Sequence, residues 1–206
     1  NNFYDRYRDR IIFPITNTYG KIVGFGGRVI NEDNKPKYMN SPETEIFHKG
    51  NLLYNYSNIK SPNKEIKNLV VVEGYMDAIS LCSKGFKNVV APLGTAMTER
   101  QLNLIWSLVD SPIICFDGDK AGKNAAERVI ELAVPNLKPG KNIRFINLND
   151  GLDPDDYVNK NGIKSFFSLA EDSTPLNEQI WKNYFKRADV STPEGKANLE
   201  KELRSI

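Results

Sequence analysis

Near the start of the chain two apolar stretches flank a turn. Ile11-Ile12-Phe13-Pro14-Ile15 and Ile22-Val23-Gly24-Phe25 are separated by Asn17-Thr18-Tyr19-Gly20, whose residues favour tight reversal, so the pattern predicts a β-hairpin. Gly24, Gly26 and Gly27 weaken the second strand and predict a bulge or a close approach of backbone. Residues 31–50 are polar and rich in turn formers, Asn51–Tyr56 reads as a short connecting element, and Ser61-Pro62-Asn63-Lys64 reads as a boundary.

From residue 69 the pattern becomes a regular alternation of strands and helices. Leu69-Val70-Val71-Val72 is a continuous apolar run, as expected of a strand buried on both faces. Asn88-Val89-Val90-Ala91, Pro112-Ile113-Ile114-Cys115-Phe116 and Arg144-Phe145-Ile146-Asn147-Leu148 follow as strands. Helices fall between them: 76–84 ending at Gly85, one from Thr98 to about Val109, and an amphipathic helix over 121–134. Thr98 with Gln101 three residues on is a capping-box signature. Residues 155–160, 163–171, 176–188 and 194–205 read as helices. The fold class expected is α/β, a mainly parallel sheet flanked by helices on both faces, preceded by a small α+β subdomain and followed by a helical tail. The divisions fall at 1–67, 68–172 and 173–206.

Composition sharpens this only in places. The chain has 206 residues, is 40% hydrophobic and carries a net charge of +2, which does not by itself announce a nucleic-acid binder. The charge is unevenly spread, however. Residues 1–68 hold 11 Lys/Arg against 7 Asp/Glu, and residues 69–172 hold 11 against 14. A basic portion beside an acidic one suggests two tasks, holding a polyanion and holding metal. Two cysteines, Cys82 and Cys115, lie in apolar segments; they are too few for a zinc cluster and fit buried thiols in a reducing compartment. No apolar run approaches the length of a membrane span. The chain starts without Met inside a charged segment, and reads as an excised fragment.

Candidate chemistry sits where the strands end. Glu73 follows Val72, Asp117 and Asp119 follow Phe116, and Asp153, Asp155 and Asp156 follow the fourth strand. In open α/β sheets ligands bind beyond the carboxyl ends of the strands, so these side chains should converge. Gathered carboxylates repel one another, which is tolerated where a divalent cation neutralises them; Mg²⁺ prefers such oxygen ligands together with water and phosphate. Taken singly, Asp117-Gly118-Asp119 reads as a turn or helix cap, and Asp153-Pro154-Asp155 as an N-cap with proline in the first turn. The signal lies in the repetition at successive strand ends.

These residues resemble the Toprim domain, and within that group the DnaG-type bacterial primases. Val72-Glu73-Gly74-Tyr75-Met76-Asp77-Ala78, Ala91-Pro92-Leu93-Gly94-Thr95-Ala96 and Phe116-Asp117-Gly118-Asp119-Lys120-Ala121-Gly122 are similar to three signatures of those enzymes. Upstream, Arg8-Asp9-Arg10-Ile11-Ile12-Phe13-Pro14-Ile15, Gly24-Phe25-Gly26-Gly27-Arg28-Val29, Pro36-Lys37-Tyr38-Met39-Asn40-Ser41-Pro42-Glu43-Thr44 and Phe47-His48-Lys49-Gly50 resemble the primase amino-terminal subdomain. The likeness covers residues 3 to about 172, the rest matching only as a generic helical subdomain. The family's zinc-binding module, the first part of its polymerase core and its helicase-contacting region have no counterpart here.

The resemblance implies a DNA-directed RNA polymerase that makes short RNA primers on single-stranded DNA by metal-dependent nucleotidyl transfer. It implies catalytic roles for Glu73, Asp77, Asp117 and Asp119, and Mg²⁺, replaceable by Mn²⁺, held among Glu73, Asp117, Asp119, Asp153 and Asp155. Glu73 is either ligand or general acid/base. Template and nucleotide contacts fall to Arg8, Arg10, Arg28, Lys37 and Lys49, with the Gly94-Thr95 loop as a phosphate or nucleotide site. The partners implied are template DNA, nucleoside triphosphates and the RNA primer, with the replicative helicase and single-strand-binding protein reached through other regions, at a cytoplasmic replication fork. The alternatives are a DNA-cleaving Toprim enzyme, a phosphatase-like enzyme with Asp117 as nucleophile, and a non-catalytic DNA-binding module.

Overall fold

A computed structural model describes residues 5–31, 33, 35–60, 65–149 and 151–204. Its first sheet is the predicted hairpin plus one strand. β1 (Arg10–Thr16) and β2 (Ile22–Val29) pair antiparallel around the Asn17–Gly20 turn, where Asn17 Oδ1 accepts from the N–H groups of Tyr19 and Lys21. β3 (Tyr38–Asn40) then pairs antiparallel with β2. That strand was not foreseen within the polar, turn-rich stretch 31–50: three residues on a sheet edge leave no legible alternation. The glycines of β2 mark close approach, while the register shift lies at Ile15/Thr16. A side chain at Gly24 would strike the ring of Phe47, and one at Gly26 would press on Tyr75.

The second sheet has the order β5-β4-β6-β7-β8. Its strands are β4 (Val70–Val71), β5 (Val89–Val90), β6 (Ile113–Ile114), β7 (Arg144–Phe145) and β8 (Thr174–Pro175). β5, β4, β6 and β7 run parallel, and β8 joins β7 antiparallel. Backbone hydrogen bonds continue past these short cores. The N–H of Val72 donates to Val90 O, that of Cys115 to Val71 O, and that of Ile146 to Ile114 O. The strand β8, just before the helices expected in the tail, was not foreseen. A two-residue edge strand containing proline carries no periodic signal, and only its pairing with β7 defines it.

Helices cover both faces, as the continuous apolar runs demand. Val70, Val72, Val89, Ala91, Ile113 and Cys115 face one layer, with α2 (Tyr75–Ser83), α5 (Pro154–Asn161) and α6 (Ile163–Glu171). Leu69, Val71, Val90, Ile114, Phe116 and Phe145 face the other, with α1 (Tyr56–Ile59), α3 (Glu99–Leu108), α4 (Lys120–Ala133) and α7 (Leu176–Phe185). Trp106 is buried in this second layer, its indole N–H on Asn142 O at 2.9 Å. The last helix is α8 (Pro193–Arg204). Cys115 is fully buried and Cys82 half-buried, both as free thiols. The predicted boundary at Ser61–Lys64 lies outside the described residues.

Two features place the first sheet beside the second. Ile15, Phe47 and Leu52 pack with Tyr75 and Leu93 in a small apolar cluster over the carboxyl ends of β4 and β5. The capping box also works as predicted: Thr98 Oγ1 accepts from the Gln101 N–H at 3.1 Å, and Gln101 Oε1 accepts from the Thr98 N–H at 3.0 Å. Both side chains then reach across, Thr98 Oγ1 donating to Gly50 O and the fully buried Gln101 Nε2 donating to Lys49 O and Leu52 O. One helix cap thus anchors the basic subdomain to the α/β layer.

Candidate active site

β4 lies between β5 and β6; the chain leaves β4 toward β5 on one side and leaves β6 toward β7 on the other, so it winds in opposite senses from these two neighbours. The crevice at such a reversal opens between the carboxyl ends of the two diverging strands, here β4 and β6. Glu73 and Asp117 stand at those two ends. The Asp117 N–H donates to Glu73 Oε1 at 3.2 Å, which ties the ends together. The first turn of α4 comes so close that a side chain at Gly122 would lie 2.7 Å from Glu73 Oε1.

The other carboxylates arrive through helix caps. Asp77 Oδ2 accepts the Gly74 N–H at the start of α2, Asp119 Oδ1 the Gly122 N–H at the start of α4, and Asp153 Oδ1 the Asp156 N–H at the start of α5. The capping role foreseen for single motifs is therefore present, and three helix N-termini are aimed by it at one crevice. The loop before α5 is fixed by the Gly118 N–H donating to Leu152 O at 2.8 Å. Gly118 is indispensable to that approach, because any side chain there would run into the carbonyl of Asn149.

The convergence shows in the electrostatics. Burial, then the charges of Glu73, Asp77, Asp153 and Asp119, push the Asp117 carboxyl up to about 7. Burial and the charge of Asp153 push Asp77 up to about 6, with the Gly74 N–H opposing and Glu73 and Asp155 adding to the rise. Glu73 is raised by burial and by Asp119, against the hydrogen bond from Asp117. Asp117 Oδ1 is buried without a hydrogen-bond partner.

Asp155 is held differently. Burial raises its pKa, but hydrogen bonds from Lys84 and Ser80 more than offset this and leave it lowered. The Lys84 ammonium lies 2.5 Å from Asp155 Oδ1, and Asn159 donates to the same oxygen. Nothing in the sequence flagged Ser80 on α2 and Lys84 at its C-terminal cap as partners of a residue some seventy positions away.

Among the described residues, no three His, Cys, Asp or Glu side chains are already closed around a common point as a metal shell. The donor set nonetheless fits a hard divalent cation. All its donors are carboxylate oxygens, one buried oxygen lacks any partner, and three pKa values are raised by burial and by neighbouring carboxylates.

Two of the proposed nucleotide residues lie beside Glu73. Gly94 (φ +75°) and Thr95 line a pocket of about 270 Å³ with Glu73, Phe116 and Arg128. Arg128 was not singled out from the sequence, where it is one cation at the rim of an amphipathic helix. A second cleft, of about 640 Å³, runs from Asp117 and Gly118 between α4 and α7. The basic set lies in and around the first sheet, with Arg8 just before β1, Lys37 just before β3 and Lys49 beyond it. Arg10 donates to Pro36 O at 2.7 Å, Arg28 stands opposite Tyr38 in the β2–β3 register, and the Lys37 ammonium lies 6.0 Å from the Tyr38 ring centre. Arg8 is exposed, and Lys49 sits half-exposed on the turn that Gln101 anchors. The sheet reaches the crevice at Asn40, whose side-chain amide donates to Leu93 O at 3.0 Å next to Gly94. His48 is at the surface beside Glu43, 3.3 Å away.

Residues 1–60 match the family described as DNA primase catalytic core, N-terminal domain, and residues 70–158 match the Toprim-like family. The DNA primase of Pseudomonas aeruginosa is 46% identical over 197 residues, which is 95% of this chain and 30% of that protein. The solved DnaG catalytic core superimposes with a TM-score of 0.90 at 43% identity, covering 96% of this chain and 64% of the other. The chain belongs to the DnaG-type DNA primase family. A DnaG primase catalytic domain solved bound to single-stranded DNA matches with a TM-score of 0.89 at 42% identity, covering 96% of this chain and 64% of the other. This chain spans about a third of the length of the curated primases it matches. The comparisons do not favour the DNA-cleaving alternative: the matched relatives are primases along both the amino-terminal and the Toprim segments.

Proposed function

We propose that this chain is the catalytic segment of a primase that joins ribonucleotides on a single-stranded DNA template. The observation that carries the reading is the crevice between β4 and β6, where Glu73, Asp77, Asp117, Asp119 and Asp153 share one electrostatic environment and Asp117 Oδ1 is left without a partner. Glu73, Asp117, Asp119 and Asp153 would hold Mg²⁺, with Mn²⁺ able to replace it. Asp155 would join them on leaving Lys84. When bound, the metal supplies charge neutralisation at the phosphates and a more acidic attacking hydroxyl. The protein's own contribution is placement: three capped helices hold the carboxylates on a rigid sheet, and Glu73 is fixed by the Asp117 N–H as ligand or acid/base.

Arg8, Arg10, Arg28, Lys37 and Lys49 would track the template and triphosphates along the first sheet, with the Gly94–Thr95 loop beside them. The three-part division at 67/68 and 172/173 belongs to the same reading. So do contacts with the replicative helicase and single-strand-binding protein elsewhere in a longer polypeptide, and a cytoplasmic setting. Among the described residues no helix is long and apolar enough to cross a membrane. The direct test supplies single-stranded DNA, ribonucleoside triphosphates and Mg²⁺. Template-dependent RNA synthesis that disappears in Asp117→Asn supports the reading; nicking of plasmid DNA without any need for nucleotide overturns it.

A further inference from the structure

The pocket beside Glu73 has an unusual distribution of charge. Its walls are Pro92, Ala96, Met97, Phe116, Ala125 and Val129, and its polar features are the Gly94–Thr95 loop, Glu73 and Arg128, the last two not ion-paired with each other. Arg128 is its one cation among the described residues. It is exposed on α4, and among the described residues it makes no hydrogen bond or ion pair. The neighbouring Glu127 is not available to it, because it faces the cleft on the other side of α4 and is bonded by Arg187 of the tail. α4 therefore lines both cavities and leaves an unneutralised guanidinium on the one that Glu73 also lines.

An anion fits this arrangement better than a base does. A cation bound at the carboxylates would draw phosphate oxygens toward Glu73. A guanidinium fork on the same pocket suits further phosphate oxygens in bidentate geometry. The loop carrying Gly94 in a left-handed conformation lets the backbone come close along the side. About 270 Å³ is room for two linked phosphates. We propose that this pocket takes the terminal phosphates of the incoming nucleoside triphosphate, the part expelled as pyrophosphate, and that Arg128 is their anion-binding residue. The proposal rests on the primase reading above and assigns to α4 a phosphate contact that the basic sheet does not supply.

The test is calorimetric binding to this chain, wild type against Arg128→Ala and Arg128→Lys, each first titrated with Mn²⁺ alone and then with inorganic tripolyphosphate and with adenosine in the presence of Mn²⁺. Arg128 is exposed and alanine is a strong helix former, so the variant keeps its fold. The expected result is an unchanged Mn²⁺ titration and tripolyphosphate binding weakened about tenfold or more in Arg128→Ala, the effect of losing a charge-assisted hydrogen bond. Arg128→Lys should recover part of it, and adenosine should be indifferent. Equal tripolyphosphate affinity in wild type and Arg128→Ala overturns the proposal while leaving the metal site standing. A loss seen with adenosine instead overturns it in favour of a base or sugar pocket. Failure of wild type to bind Mn²⁺ is a different outcome: it sinks the metal-site reading beneath both.

Discussion

Glu73 Oε1 accepts the backbone N–H of Asp117 at 3.2 Å, so the acidic residue at the end of one strand is positioned by the backbone of the next strand's acidic loop. The same oxygen is what a side chain at Gly122 would meet, at 2.7 Å, and that side chain would also collide with the Asp117 carbonyl. The carboxylate pair is therefore built around the absence of a methyl group. Gly122→Ala, a change that favours helix elsewhere, should destabilise the protein by ~1–3 kcal/mol through overpacking and weaken Mn²⁺ binding. Thermal unfolding with a metal titration checks both; an alanine variant with unchanged Tm would show that α4 can draw back freely.

Gln101 should behave as a structural hinge pin with a functional readout. Its fully buried amide serves Lys49 O and Leu52 O from one side and the Thr98 N–H from the other. Gln101→Leu strands these groups and should cost about 2 kcal/mol by denaturant unfolding. Because Lys49 rides on the anchored turn, the same variant should also bind single-stranded DNA less well. Lost stability with undiminished DNA binding would remove Lys49 from the interface.

Lys37 tests the basic sheet more directly. If its ammonium meets a phosphate, Lys37→Ala should weaken single-stranded DNA binding whatever the sequence and make the affinity less steeply dependent on salt, by roughly one unit of the log–log slope. The gap between wild type and variant should close as salt rises. A parallel shift at all salt concentrations would argue for a non-electrostatic role, such as the contact with the Tyr38 ring.

Asp155 and Lys84 form a half-exposed pair. Lys84→Met should lower metal-free stability by about 0.5–1 kcal/mol above pH 4, the usual worth of such a pair. It also releases Asp155 toward the crevice, so Mn²⁺ should recover the loss. No recovery with Mn²⁺ would leave Asp155 as a surface ion-pair residue.

Much of this was legible beforehand, for identifiable reasons. Val70 and Val72 against Leu69 and Val71 spell a strand buried on both faces. Thr98 with Gln101 spells a helix start, and Asp117-Gly118-Asp119 after an apolar strand spells a crevice residue. What escaped depends on partners distant in sequence. Tyr38–Asn40 and Thr174–Pro175 are strands only because β2 and β7 offer them an edge. Arg128 differs from other helix-surface cations only in the pocket it lines with Glu73. Ser80 and Lys84 acquire meaning through Asp155, which the fold brings to them.

The pH dependence follows from Asp117. Its carboxyl titrates near 7 in the folded chain against an ordinary 3.8, so the folded state keeps a proton that the unfolded chain releases between about pH 4 and 7. Its contribution to stability is complete below pH 4 and is lost as pH rises through that window. Without metal, Asp117→Asn should therefore become progressively more stable than wild type from pH 4 to 7, levelling off at about 1–2 kcal/mol once solvent screening of a half-exposed group is allowed for. A difference independent of pH would mean that Asp117 is not under strain from its neighbours.

The most direct measurement is thermal unfolding at pH 8 as Mn²⁺ is added, wild type beside Asp117→Asn. If the carboxylates of β4, β6 and the α5 cap form one cation site, wild type Tm climbs with Mn²⁺ by mass action, and the variant responds only at tenfold or higher concentration. Equal responses from the two proteins, or none from wild type, would contradict it.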